Sequence, residues 1–240
     1  MVRAMPGLSP ELFSELLALW ERLREEFGED RIAGPFVPIV GECYGESGVP
    51  KVMFVGKATY GWDASPGMSL GERLDQARAF YEDIANNRYR PTFWRFLCRM
   101  TGKIHGVVGL SSSEQPGWAL ERLIWSNLFL IGAARSQPGK ALARAQHDLM
   151  GKLLHYQLHT FRPDAIILMS NEYEGDFVER VFGTEHKRKL PGVLGPWTDV
   201  IDLSSIGARL YWTRHPQGWP NPEPEEQAIC QDIRAFFTRA

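Results

Sequence analysis

Residues 51–56 read Lys51-Val52-Met53-Phe54-Val55-Gly56, a short apolar run that ends at a glycine. A run without polar alternation is typical of a strand buried on both faces, as in a parallel sheet. The segment Ala165-Ile166-Ile167-Leu168-Met169 has the same character. Further strands are predicted over residues 124–130 and 209–213, and a weaker one over 199–203. These buried strands decide the fold class.

Helical segments separate the strands. Ser9 followed by Pro10 is a helix start, and apolar residues at helical spacing continue to residue 27. Ser69 and Glu72 form a capping box that predicts a second helix. Further helices are predicted over residues 91–101, 141–161, 171–182 and 223–238. Residues 29–50, with four glycines and three prolines, are predicted to be a loop.

Strands that alternate with helices predict an α/β fold with a mostly parallel sheet covered on both faces. No proline-rich linker divides the chain, so we expect one domain over residues 1–240. Its core spans about residues 50–220, between an N-terminal helix (about 10–27) and a C-terminal helix (about 223–238).

The composition excludes several classes of protein. There is no stretch of about 18 apolar residues and no signal-like start, so we expect no membrane association and a cytoplasmic location. The three cysteines are odd in number and lack CxxC spacing, which argues against a disulfide framework or a metal site. No cofactor is implied, and the sequence leaves the oligomeric state open.

The net charge of −2 hides an uneven distribution. Residues 84–147 contain nine Lys and Arg against two acidic residues. Such a stretch is typical either of solvated helix faces or of an anion-binding surface.

In a parallel sheet, ligands bind beyond the carboxyl ends of the strands. The segment after the first buried strand supplies these candidate residues: Gly56, Lys57, Thr59, Tyr60, Trp62 and Asp63. The glycine lets a ligand approach the backbone, Thr59 can hold an anion or carbonyl, and Trp62 offers a stacking face. Neither the P-loop nor the GxGxxG spacing is present. A plain loop with a core tryptophan is the alternative.

Three other strand ends carry polar candidates. Asn127 lies within an apolar strand, on the same face as Trp125, where its amide can read the edge of a nucleobase or be satisfied by backbone. Asn171 follows a strand and is explained by a helix cap, although the same helix start can bind an anion. Arg214 and His215 end the last predicted strand, where an imidazole can donate to a developing oxyanion.

Together these motifs resemble the uracil-DNA glycosylase-like superfamily. The similarity is greatest to a bacterial branch whose first motif reads like GQETNGW. The matching segments here are Gly56-Lys57-Ala58-Thr59-Tyr60-Gly61-Trp62, Phe93-Trp94-Arg95, Trp125-Ser126-Asn127 and His215-Pro216. The resemblance implies a three-layer α/β/α sandwich around a central, mostly parallel four-stranded sheet. It also implies a DNA-repair hydrolase that cuts the N-glycosidic bond of a damaged or modified base.

The resemblance carries roles to particular residues. Trp62 or Tyr60 would stack on the base, and Asn127 would read its edge. His215 would stabilise the leaving base, and Asp63 is the nearest carboxylate for positioning water. Four arginines would contact DNA phosphates: Arg88, Arg90, Arg95 and Arg99.

The chain departs from the family pattern in its first motif. Lys57 stands where Gln or Glu is usual, Ala58-Thr59 replaces the acidic pair, and Gln217 replaces the serine after His-Pro. Two alternatives to a glycosylase therefore stay open. One is a non-catalytic protein that binds a nucleotide or nucleic acid in a degenerate glycosylase pocket. The other is a protein-interaction domain whose exposed aromatic residues dock a partner.

Overall fold

A computed structural model describes residues 4–58, 62, 64–86, 88, 92–107, 116–134, 138–170, 174–183, 186–190, 198–218 and 223–238. The strands in this part of the chain are β1 (Ala4–Pro6), β2 (Ile32–Pro35), β3 (Ile39–Gly41), β4 (Val52–Ala58), β5 (Leu123–Phe129), β6 (Ile131–Ala133), β7 (Ala165–Met169), β8 (Arg188–Lys189), β9 (Asp199–Leu203) and β10 (Ala208–Thr213). The α-helices are α1 (Pro10–Phe27), α2 (Leu70–Ala85), α3 (Thr92–Ile104), α4 (Pro116–Leu120), α5 (Lys140–Arg144), α6 (His147–Phe161), α7 (Gly175–Phe182) and α8 (Glu223–Phe237).

One eight-stranded sheet runs through the molecule in the order β1-β3-β5-β4-β7-β10-β9-β8. The four central strands, β5, β4, β7 and β10, are parallel to one another. The other four strands of this sheet, β1, β3, β9 and β8, extend it with antiparallel pairs at both edges. Strands β2 and β6 form a separate two-stranded antiparallel sheet. The predicted α/β class and its parallel centre are confirmed. The four strands that the resemblance implies are too few for this sheet, although β9 lies where a weaker strand is predicted. Strands β1, β3 and β8 are only two or three residues long and lack the apolar runs that mark the central strands.

Helices pack on both faces of the sheet. The Tyr211 hydroxyl in β10 donates to Asp232 of α8 over 2.8 Å. The next side chain, Trp212, donates from Nε1 to the Ser170 hydroxyl over 2.9 Å, and its ring lies 3.4 Å from where a Cβ on Gly175 of α7 would stand. Because successive side chains in a strand point to opposite faces, α8 and α7 cover opposite faces of the sheet.

The predicted loop over residues 29–50 contains two short strands, β2 and β3. Trp20 of α1 donates from its indole N–H to the Ala33 carbonyl over 3.0 Å and so attaches β2 to the helix. The glycines and prolines that indicated a loop are accommodated because these strands are only four and three residues long.

The predicted helix over residues 141–161 is two helices, α5 and α6, that are separated at residues 145–146. The Gln146 side chain is fully buried. Its Nε2 donates to the Ile131 carbonyl over 2.9 Å, and its Oε1 accepts from the Ile131 N–H over 3.0 Å. Gln146 thereby satisfies both backbone groups of a residue in β6, a tertiary contact that no helical pattern indicates.

The terminal helices match their predicted positions closely. Helix α1 spans Pro10–Phe27, and the Ser9 side chain accepts from the Leu12 N–H, as a cap should. Helix α8 spans Glu223–Phe237 and carries Glu226, whose side chain is fully buried. Burial of an ionised carboxylate requires partners. Arg99 and Lys103 of α3 supply them, with N···O distances of 2.7 Å from Arg99 Nε and 3.1 Å from Lys103 Nζ.

We predict that Arg99→Met lowers the free energy of unfolding by about 2 kcal/mol, because it leaves a buried carboxylate with one cation instead of two. Arg95→Met, on the exposed side of the same helix, should change it by less than about 0.5 kcal/mol. Urea unfolding monitored by tryptophan fluorescence measures both. Equal effects of the two substitutions would contradict a structural role for Arg99.

Candidate functional site

The site is organised around Gly56 of β4 and Asn127 of β5, which are paired across the two parallel strands. A Cβ on Gly56 would lie 2.4 Å from the Asn127 Oδ1. That distance is far inside van der Waals contact, so the asparagine amide occupies the space that any side chain at position 56 would need. Glycine is therefore required here by close approach.

The Asn127 side chain is buried, with 4% of the residue exposed. Its Nδ2 group has no hydrogen-bond partner among the described residues. The alternative expectation, that nearby backbone satisfies this amide, is not met at Nδ2. A buried donor without an acceptor destabilises the free protein by about 1–3 kcal/mol. A ligand that brings an acceptor to Nδ2 recovers this free energy.

His215 follows β10 at the carboxyl end of the parallel strands, the end of the sheet at which Gly56 and Asn127 also lie. This end of the sheet is called the Gly56–Asn127–His215 edge. Its ring lies parallel to that of Phe93, with 5.5 Å between centroids and 12° between planes. The Gln217 backbone N–H donates to Nδ1 over a long 3.4 Å, so the hydrogen of the neutral ring is assigned to Nε2. Burial, and then the charge of Lys57, lower the pKa of His215 to about 4. The imidazole is therefore neutral at pH 7.

Lys57 is the half-buried residue next to Gly56 in β4. Burial lowers the pKa of its ammonium group. Its charge acts on His215, although the two residues belong to strands that are not neighbours in the sheet. The parallel strand ends thus bring a lysine and a histidine into one electrostatic environment.

Phe93, at the start of α3, lies close to both Gly56 and His215. In addition to facing His215, its Cζ lies 3.7 Å from where a Cβ on Gly56 would stand. The sequence indicated Phe93 only through the Phe93-Trp94-Arg95 motif. The Phe-Trp-Arg motif was a usable signal, but it did not distinguish Phe93 from the neighbouring core residue Trp94.

The aromatic residues behind the site form a packed cluster. Trp94 and Trp125 are 4% and 5% exposed, and their ring centroids are 4.5 Å apart at 83°. The partly buried Trp62 ring packs edge-on against Phe36 and Phe80 at 5.3 and 5.6 Å. This packing supports the back of the site. The stacking of Trp62 on a ligand stays a prediction.

Arg214 lies beside His215 but also contacts α8. Its Nη2 is 3.5 Å from Glu225 Oε2, and the Thr213 hydroxyl donates to Glu225 Oε1 over 3.3 Å. Glu225 is buried, with 3% of the residue exposed. The guanidinium therefore has a structural partner as well as its predicted place at the strand end.

The predicted phosphate-binding arginines have different surroundings. Arg99 is engaged by the buried Glu226, and Arg88 forms an exposed ion pair with Asp83 at 3.2 Å. Arg95 is exposed on α3. The basic stretch is thus partly neutralised by acidic residues from other elements and is not one uncompensated surface.

Several predicted site residues lie outside the described residues, so their roles stay predictions. They are Thr59, Tyr60, Asp63, Arg90 and Asn171. In the described part of the chain, no three His, Cys, Asp or Glu side chains are grouped as a metal ion would need. None of the described helices has the length and apolar character to cross a lipid bilayer.

We predict that Asn127→Leu leaves the free energy of unfolding unchanged or raises it by about 1 kcal/mol. The substitution removes a buried donor without a partner and keeps a similar side-chain shape. Urea unfolding at neutral pH measures the effect. A loss of more than about 1 kcal/mol would show that the amide has a structural role instead.

The lowered pKa of His215 predicts a specific pH dependence of stability. Between the usual value of 6.5 and about 4, the unfolded chain binds a proton at His215 that the folded protein does not. Stability is therefore lost as pH falls through this window, by about 2–3 kcal/mol for this residue. Urea unfolding at pH 7.5 and pH 4.5 should show a smaller acid-induced loss for His215→Gln than for the natural protein. His159→Gln, at an exposed position of α6, is the control and should behave like the natural protein.

The comparisons with known proteins leave the family of this chain open. No model of a known protein family matches it, and no curated protein matches it significantly. Its function is therefore inferred from the chemistry of the Gly56–Asn127–His215 edge.

Proposed function

We propose that the protein binds a nucleobase at the Gly56–Asn127–His215 edge and hydrolyses the N-glycosidic bond of a damaged or modified base in DNA. The observation that carries this proposal is the buried Asn127 Nδ2, which has no partner among the residues that the structure describes. The amide lies over Gly56, at the end of the parallel strands where a neutral His215 also lies. The resemblance of the sequence motifs to uracil-DNA glycosylase-like proteins points to the same chemistry.

Asn127 would select the base. A side-chain amide offers a donor and an acceptor in one plane, which matches the edge of a nucleobase. The absence of a side chain at Gly56 leaves room for the amide to stay in place. An enzyme that flips a base out of the duplex spends a few kcal/mol on unstacking. Pairing the unsatisfied Nδ2 offsets part of this cost.

His215 would stabilise the departing base. When the glycosidic bond breaks, its electron pair moves onto the base, and negative charge develops on the ring and its carbonyl oxygens. A neutral imidazole with its hydrogen on Nε2 can donate a hydrogen bond to such an oxygen. Lys57 adds a positive charge to the same environment, which favours the anionic leaving group.

The water that attacks the sugar needs a positioning group. Asp63 is the carboxylate that the sequence offers near the first motif, and it lies outside the described residues. Its role is part of the proposal and is tested separately below.

A non-catalytic base-binding protein is the second candidate. Lys57 favours it, because it replaces the usual Gln or Glu of the first motif, and so does the partial neutralisation of the basic stretch. A protein-interaction domain has less support. Val107 is the large hydrophobic residue found exposed in the described part of the chain, and an exposed aromatic patch is not found there.

The deciding experiment uses single- and double-stranded oligonucleotides that carry uracil, hypoxanthine or an alkylated base. Binding and base release are measured on the same samples. We expect release of at least one base, with Asn127→Leu and His215→Gln each about 100-fold slower, because each removes a group that acts on the reacting base. Asp63→Ala should also slow release, and His159→Gln is the matched control.

The outcomes separate the candidates. Binding that weakens with salt and with Asn127→Leu, but without base release, would support the non-catalytic protein. If the protein binds none of the oligonucleotides and releases no base, both nucleic-acid functions are refuted.

A further inference from the structure

We propose that Phe93 is a positioning residue whose ring fixes the plane of the His215 imidazole at the Gly56–Asn127–His215 edge. This inference rests on the proposed function, because it concerns the group that would stabilise the departing base. It adds a residue that neither reads the base nor donates to it, but that orients the donor.

The geometry of the two rings is the first reason. The rings of Phe93 and His215 have 12° between their planes and 5.5 Å between their centroids. These values describe an offset stack, which is a favoured arrangement of two flat rings. A flat partner resists tilting of the imidazole, because a tilt brings ring atoms too close on one side and loses contact on the other.

The hydrogen bond at Nδ1 is the second reason. The Gln217 backbone N–H donates to the Nδ1 of His215 over 3.4 Å, which is longer than the usual range for such a bond. This bond assigns the hydrogen to Nε2 but constrains the ring only weakly. The Nε2–H bond lies in the plane of the imidazole, so the residue that fixes this plane also sets the direction in which Nε2 donates.

Phe93 is itself held by the elements around it. Its ring packs edge-on against Trp94, with 5.3 Å between centroids and 89° between planes, and its Cζ lies 3.7 Å from where a Cβ on Gly56 would stand. Helix α3, which carries Phe93, also packs against the short 3₁₀-helix Pro216–Gly218, directly after His215. The ring therefore connects the strand end at Gly56 with the segment that carries the imidazole.

The test removes the flat ring and then restores it. We expect Phe93→Leu to lower kcat for base release about tenfold and to change KM by less than about twofold, because a small misplacement of an acting group slows the chemical step. Phe93→Tyr, which keeps the ring, should stay within about twofold of the natural protein. Phe27→Leu is the matched control, because Phe27 is also a partly buried phenylalanine, at the end of α1.

A second measurement detects the stack directly and needs no activity. The ring current of Phe93 shifts the NMR signals of the His215 imidazole protons, which are assigned by their loss in His215→Gln. We expect these signals to move in Phe93→Leu and to stay near their natural positions in Phe93→Tyr and in Phe27→Leu.

The outcomes are distinct. Undiminished base release by Phe93→Leu, an equal loss in Phe93→Tyr and Phe93→Leu, or unchanged His215 signals in Phe93→Leu would overturn the inference. Urea unfolding checks that Phe93→Leu is folded, and Phe93→Met replaces it otherwise. If the natural protein releases no base, the proposed function fails, and the His215 signals alone decide whether Phe93 positions the imidazole.

Discussion

The close contact between Gly56 and Asn127 is the constraint on which the candidate site depends. Two parallel strands set these residues opposite each other, and the amide fills the space above the glycine. A side chain at position 56 would have to displace the amide. The site therefore consists of one backbone position without a side chain and one polar side chain whose Nδ2 has no hydrogen-bond partner among the described residues.

Electrostatics at this edge are set by burial more than by ion pairing. The pKa values of both Lys57 and His215 are lowered, and burial is the largest cause in each case. Under the proposed function, the neutral imidazole would donate a hydrogen bond to the leaving base.

The acidic residues of α8 show why a basic stretch need not be a basic surface. The buried Glu226 forms ion pairs with Arg99 and Lys103. The buried Glu225 forms an ion pair with Arg214. These contacts join α8 to α3 and to the end of β10. Part of the positive charge that the sequence concentrates in its middle thus stabilises the fold. Any affinity for phosphates depends on exposed residues such as Arg95.

By itself the sequence determined the central strands, the two terminal helices and the α/β class, because apolar runs and helix caps act over a few neighbouring residues. It also placed Asn127 and His215 at strand ends. The tertiary structure alone decided the short edge strands β1, β3 and β8, the break at Gln146 and the place of Phe93 against His215. It alone also showed that the Asn127 Nδ2 has no hydrogen-bond partner in the described part of the chain, since hydrogen bonds and ion pairs between residues far apart in the chain leave no periodic signal.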